Sequence, residues 1–215
     1  MTIYAIGGLG VDERVFSELV LDFELVPLSW IDPLPSESLE GYTRRFAKQI
    51  NSDNPFSIIG ISFGGMIAIE LNKLINPRKI VLISSATNKH DIPLSFRIMG
   101  KAGVFPLLPG ALMKPPNFLA NWFFGVQEPK YRKVLHHIIS DTQVDFLRWA
   151  TNEIAHWNNK TMPVNMVRIH GSSDRLLRYS KSEKVIVVEK AGHFMVMNRA
   201  KEISKILNDV LKENE

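Results

Sequence analysis

Short unbroken apolar runs alternate along this chain with segments whose apolar positions recur every three or four residues. Ile3 to Ile6 is the first run, and it ends in Gly7-Gly8-Leu9-Gly10 before Val11, Val15, Leu19 and Val20 repeat at helical spacing. A second strand covers Glu24 to Trp30, followed by a helix from Ser38 to Ile50 with Leu39, Tyr42, Phe46 and Ile50 on one face. Phe56 to Ile61 is a strand that turns sharply into a helix reaching about Leu74. Further strands are expected at Lys79 to Ala86, Val164 to His170 and Val185 to Val188, and a last helix carries Ile203, Leu207, Val210 and Leu211. Continuously apolar strands that alternate with helices predict an α/β fold: a doubly wound, mainly parallel sheet of about six strands with helices on both faces.

That rhythm breaks between Ala86 and Met162. The segment holds Pro93, Pro106, Pro109, Pro115, Pro116 and Pro129, with helical patterns at Pro116 to Gly125, Lys130 to Ser140 and Thr142 to Trp157. It is too long for a structureless loop. The expected organisation is a core of residues 1–87 and 162–215 interrupted by a helical lid, residues 88–161. Most of the lid's aromatic residues pack it onto the sheet, while Trp122 and Phe123 are candidates to line a substrate pocket.

Composition narrows the class. A chain of 215 residues with no cysteine suits one globular domain without a disulfide framework, thiolate metal site or cysteine nucleophile. Lys and Arg number 26 against 22 Asp and Glu, and they are scattered, so no basic stripe for nucleic acid is present. No stretch approaches the ~18 apolar residues of a membrane span. Met1 to Ile6 lacks the features of a secretory leader, so a cytoplasmic monomer or homodimer acting on a small molecule is expected. His90, His136, His137 and His156 show no metal-ligand spacing, and neither metal nor cofactor is expected. Gly8-Leu9-Gly10-Val11-Asp12-Glu13 lacks the third glycine of a dinucleotide fingerprint, and no phosphate-binding Gly-Lys-Ser/Thr occurs.

The chemistry centres on Gly60-Ile61-Ser62-Phe63-Gly64, a Gly-x-Ser-x-Gly pattern between strand and helix. A serine there is either a nucleophile lifted above the sheet or merely the cap of the following helix. Two further signals favour the nucleophile. Asp174 follows the strand ending near His170, and His193 follows the strand ending at Val188, both where an open α/β sheet binds its ligands. Serine is a poor nucleophile at neutral pH, so His193 would take its proton while Asp174 holds the imidazole tautomer. Backbone N–H groups of Phe63 and Leu9 would receive the oxyanion, with Gly8 close to the substrate.

These motifs together resemble the α/β-hydrolase superfamily, in particular its small lidded esterases and thioesterases. The resemblance implies Ser62, His193 and Asp174 as a triad, Leu9 and Phe63 as oxyanion donors, no cofactor, and a range of substrates that the fold does not fix; cleavage of a small ester or thioester is the favoured expectation. Two features depart from it. Gly7-Gly8 stands where the family often has His-Gly, and the span from Asp174 to His193 is short for a helical crossover, which keeps Asp91 open as the acid. A lyase-type use of the same triad and a ligand-binding receptor on this fold are the alternatives to hydrolysis.

Overall fold

The computed structural model describes residues 1–179 and 184–212. Six parallel strands, β1 (Thr2–Ile6), β2 (Glu24–Leu28), β3 (Phe56–Ile61), β4 (Ile80–Ile83), β5 (Met166–Gly171) and β6 (Val185–Val188), lie in the order β2-β1-β3-β4-β5-β6. The order reverses at β1, which pairs with β2 on one side and β3 on the other, so the sheet is wound in both directions. Part of the expected crossover from Gly171 to Lys184 lies outside the described residues, yet β5 and β6 pair in parallel, Gly171 opposite Val188.

Alternation explains why the strands read as unbroken apolar runs. Ile3, Ala5, Ile59, Ile61, Val81 and Ile83 point to one face; Tyr4, Ile6, Phe56, Ile58, Ile80 and Leu82 point to the other. Each face is covered. The first packs against α9 (Met195–Asn198) and α10 (Ala200–Lys212), the second against α1 (Leu39–Phe46) and α2 (Phe63–Asn72). Pro27, which cannot donate a ladder hydrogen bond, is accommodated because β2 is an edge strand.

Between β4 and β5 run α3 (Leu94–Lys101), α4 (Val104–Leu107), α5 (Gly110–Met113), α6 (Asn117–Phe124), α7 (Pro129–Asp141) and α8 (Val144–His156). They divide between the two layers: Ala120, Val126, Leu135 and Ile138 join the apolar cluster of the α10 face, whereas Phe146 and Ala150 join that of the α2 face.

One expected helix is absent. Residues 11–20 form only a short 3₁₀ turn at Glu13–Phe16, and Val20 is exposed. Local side-chain bonds compete with the helix there: Asp12 accepts from the Arg14 backbone and guanidinium, and Ser17 Oγ donates to Arg14 O at 2.8 Å. The Arg14 guanidinium is engaged with Asp12 and Asp141.

Candidate active site

Ser62 sits between the end of β3 and the first residue of α2 with φ 51° and ψ −118°, a conformation that costs a non-glycine residue ~1–3 kcal/mol. Three hydrogen bonds hold it. Its N–H donates to Ile83 O (3.0 Å), and its carbonyl accepts from Gly65 N (3.0 Å) and Ser85 Oγ (2.6 Å). Its side chain makes no capping bond to the helix, which removes the reading of this serine as an N-cap. The tightness of the turn dictates the flanking residues: a Cβ on Gly60 would lie 2.5 Å from Gly65 Cα, and one on Gly64 would run into the carbonyls of Ile6 and Gly7.

His193 follows β6, is buried, and its Nδ1 lies 2.8 Å from Asp174 Oδ2. Asp174 follows β5 with only 1% of its side chain exposed. Its Oδ1 accepts from Leu176 N (2.9 Å) and Leu177 N (3.0 Å), so the chain folds over the carboxylate and needs no helix to position it. Burial alone would push this carboxyl up; the charge of His193, hydrogen bonds from His170 and His193 and the Leu177 N–H outweigh it and hold the group below the usual carboxylate range. Asp174 is therefore ionised at neutral pH. Facing a carboxylate, His193 Nδ1 carries a proton, which in the neutral ring leaves the Nε2 lone pair free to act as a base. No hydrogen bond joins that ring to Ser62 Oγ among the described residues.

His170, in β5, also reaches the acid. Its Nε2 lies 3.0 Å from Leu177 O and 3.3 Å from Asp174 Oδ2, two acceptors, so Nε2 carries a proton; its buried Nδ1 has no hydrogen-bond partner among the described residues. In the sequence it stands only at the end of an expected strand, and its contact with the acid was missed. Asp91, the other candidate acid, is elsewhere: its Oδ2 accepts from Thr87 N and Oγ1 (2.8 Å each) and pairs at 3.0 Å with Arg168, buried in β5.

Gly8 and Leu9 lie beside the elbow, where a Cβ on Gly8 would come within 3.5 Å of Ser62 Cβ. Among the described residues the N–H groups of Leu9 and Phe63 donate no hydrogen bond. Trp122, half-exposed on α6, stacks its ring on the Arg175 guanidinium at 4.6 Å, and Phe123 stands edge-on to Trp122 at 4.9 Å. The ring against the histidine is the next one: Phe124 meets His193 edge-on at 5.4 Å, and its carbonyl accepts from Phe194 N at 3.1 Å. Only helical phase separates these three aromatics, and sequence carries no signal for it. No group of three His, Asp or Glu that could hold a metal, and no helix long and apolar enough to cross a membrane, occurs among the described residues.

A parallel sheet with a strained serine after β3 and an Asp–His pair beyond β5 and β6 defines a class. Residues 13–206 match the alpha/beta hydrolase family, and the chain belongs to it. Solved structures share the fold. A lipase-esterase related protein from Clostridium acetobutylicum is 19% identical over 97% of this chain and 93% of its own, with a TM-score of 0.70. A thermophilic esterase from Thermogutta terrifontis is 12% identical over 99% and 90%, with a TM-score of 0.76. An enol-lactonase from Burkholderia xenovorans is 15% identical over 99% and 91%, with a TM-score of 0.72. No curated protein matches the sequence.

Proposed function

We propose that this chain is a serine hydrolase that cleaves a small ester or thioester through an acyl-enzyme intermediate. The observation that carries the reading is the buried Asp174–His193 pair, built on an ionised carboxylate, at the same end of the sheet as a strained serine that caps nothing. In the first half-reaction His193 Nε2 accepts the Ser62 proton as Oγ attacks the substrate carbonyl, and then delivers it to the leaving alkoxide or thiolate. Phe63 N–H and Leu9 N–H receive the oxyanion of the tetrahedral intermediate; such a donor is worth ~3 kcal/mol. Water, deprotonated by the same imidazole, releases the acid in the second half-reaction. Asp174 stays ionised throughout and stabilises the imidazolium.

Residues 88–161 act as the lid in this reading, with Phe124 as the apolar wall against His193 and Trp122 and Phe123 further out toward Arg175. The similar structures named as esterases and an enol-lactonase support the class of bond cleaved. Labelling by a fluorophosphonate, mapped by peptide mass, tests the reading: adduct is expected on Ser62 in wild type and on neither Ser62→Ala nor His193→Ala. A folded wild type that neither labels nor turns over p-nitrophenyl or acyl-thioester substrates would falsify it.

A further inference from the structure

We propose that Trp30 is a positioning residue for the oxyanion site, fixing the peptide that carries the Leu9 donor and bracing the Phe63 donor with the same ring. The proposal rests on the reading of Leu9 and Phe63 as oxyanion donors and adds a residue outside the triad and the elbow.

Trp30 lies just beyond β2, next to the carboxyl end of β1. Its indole Nε1–H is shared between two carbonyls of the loop after β1, Gly8 O at 3.1 Å and Val11 O at 3.0 Å. Gly8 O also accepts from Val11 N at 2.9 Å, so both of its lone-pair directions are taken. In a trans peptide the C=O and the following N–H point in opposite directions. Holding Gly8 C=O toward Trp30 therefore holds Leu9 N–H away from it, unpaired, and the Gly8–Leu9 peptide plane cannot rotate without breaking both bonds. Gly8 and Gly10 make this loop intrinsically free to rotate, so an external anchor changes its behaviour more than it would in a stiffer turn.

The same side chain reaches the second donor. The Trp30 ring lies nearly parallel to that of Phe63, 20° between planes with centroids 5.4 Å apart, and packs among Phe46 (5.6 Å) and Phe146 (5.2 Å). One indole thus bridges the loop after β1 and the start of α2, whose N–H groups must stay at a fixed separation. Preorganised donors stabilise a developing charge because they need not reorient during the reaction, and a donor free to rotate loses that advantage.

The test is Trp30→Phe, which keeps an aromatic ring against Phe63 but removes the N–H donor. The comparison variant is Tyr42→Phe, which deletes two other hydrogen bonds of the same aromatic cluster, Tyr42 Oη donating to Ile31 O at 3.0 Å and accepting from Ile31 N at 3.2 Å, without touching the Gly8 peptide. With a p-nitrophenyl ester, Trp30→Phe is expected to lower kcat about tenfold or more at a KM within about twofold of wild type, as for a weakened oxyanion donor. The acid limb of its pH profile should not move, since the Asp174–His193 pair is untouched. Tyr42→Phe should keep wild-type kcat. Wild-type kcat in Trp30→Phe, or equal loss in both variants, overturns the role of Trp30 while Ser62 labelling in wild type leaves the hydrolase reading standing. Absence of labelling and turnover in wild type removes both. If Trp30→Phe does not fold, 3-benzothienylalanine at position 30, which keeps the bicyclic shape and lacks the donor, is read against the same outcomes.

Discussion

Replacing Asp174 by Asn distinguishes a catalytic carboxylate from a merely buried one, because the substitution keeps shape and changes only which atoms donate. In the native site Oδ1 receives two backbone N–H bonds, and Oδ2 faces His193 Nδ1 at 2.8 Å and His170 Nε2 at 3.3 Å. The Asn carbonyl will stay with the two backbone donors, which puts its NH₂ where Oδ2 was. His170 Nε2–H is already a donor, committed to Leu177 O at 3.0 Å. His193 must then turn a lone pair toward the NH₂ and carry its proton on Nε2, where it cannot accept one from Ser62. Such a tautomer error costs on the order of 10⁴ in kcat, or ~5 kcal/mol of transition-state stabilisation. Asp91→Asn is the matched control: an Asn carbonyl can keep the three bonds to Oδ2, but the charge paired with the buried Arg168 cation is lost, costing ~2 kcal/mol of stability, with no effect on imidazole tautomer. Ester turnover and thermal melting of both variants are the assays. Turnover within tenfold of wild type in Asp174→Asn, beside a collapse of turnover in Asp91→Asn, would refute the assignment.

Acid should destabilise the protein through the same carboxylate. With the folded-state group held below an unfolded value of ~3.9, the unfolded chain binds the proton first, so Asp174 stabilises the fold above that value and its contribution is lost as pH falls through the folded one. Melting against pH should show a shallower acid decline for Asp174→Asn than for wild type; parallel curves would count against it. Ser62→Gly relieves the positive φ and should raise stability by ~1 kcal/mol, a few degrees in Tm, while abolishing labelling. Gly64→Ala forces a methyl into backbone carbonyls of Ile6 and Gly7 and should cost ~3 kcal/mol, lowering Tm by roughly 6–12 °C, by scanning calorimetry; an unchanged melt would mean the elbow is looser than its geometry indicates.

The strands were legible because both sheet faces are covered, which writes them as unbroken apolar runs such as Phe56–Ile61 and Ile80–Ile83. Ser62 was legible for a related reason: only glycine fits at 60 and 64, so packing prints itself in the sequence. The helices of residues 94–113 were not. Pro93 and Pro109 read as interruptions, yet each immediately precedes the first residue of a helix, as Pro116 does for the expected α6, and Pro129 is the first residue of α7. The acid stayed ambiguous between Asp174 and Asp91 because a short crossover argued for a misplaced carboxylate. The geometry instead wraps residues 174–177 around it, a device that leaves no periodic trace. Trp30 bonds to backbone far away in the sequence, and His170 reaches Asp174, in the connection after its own strand, only because the chain folds back there; no periodic pattern announces either partner.

The division of the inserted helices between both layers has a consequence for folding. Ile83 closes β4 and its neighbour strand β5 begins only at Met166, so sheet closure in the middle of the fold waits for a long excursion of chain to return. Because α6 and α7 complete one apolar layer and α8 the other, the excursion returns already bearing core material for both sides. Excising residues 88–161 would remove part of the interior, and melting followed by Trp149 and Trp157 fluorescence should coincide with loss of sheet signal in a single cooperative transition.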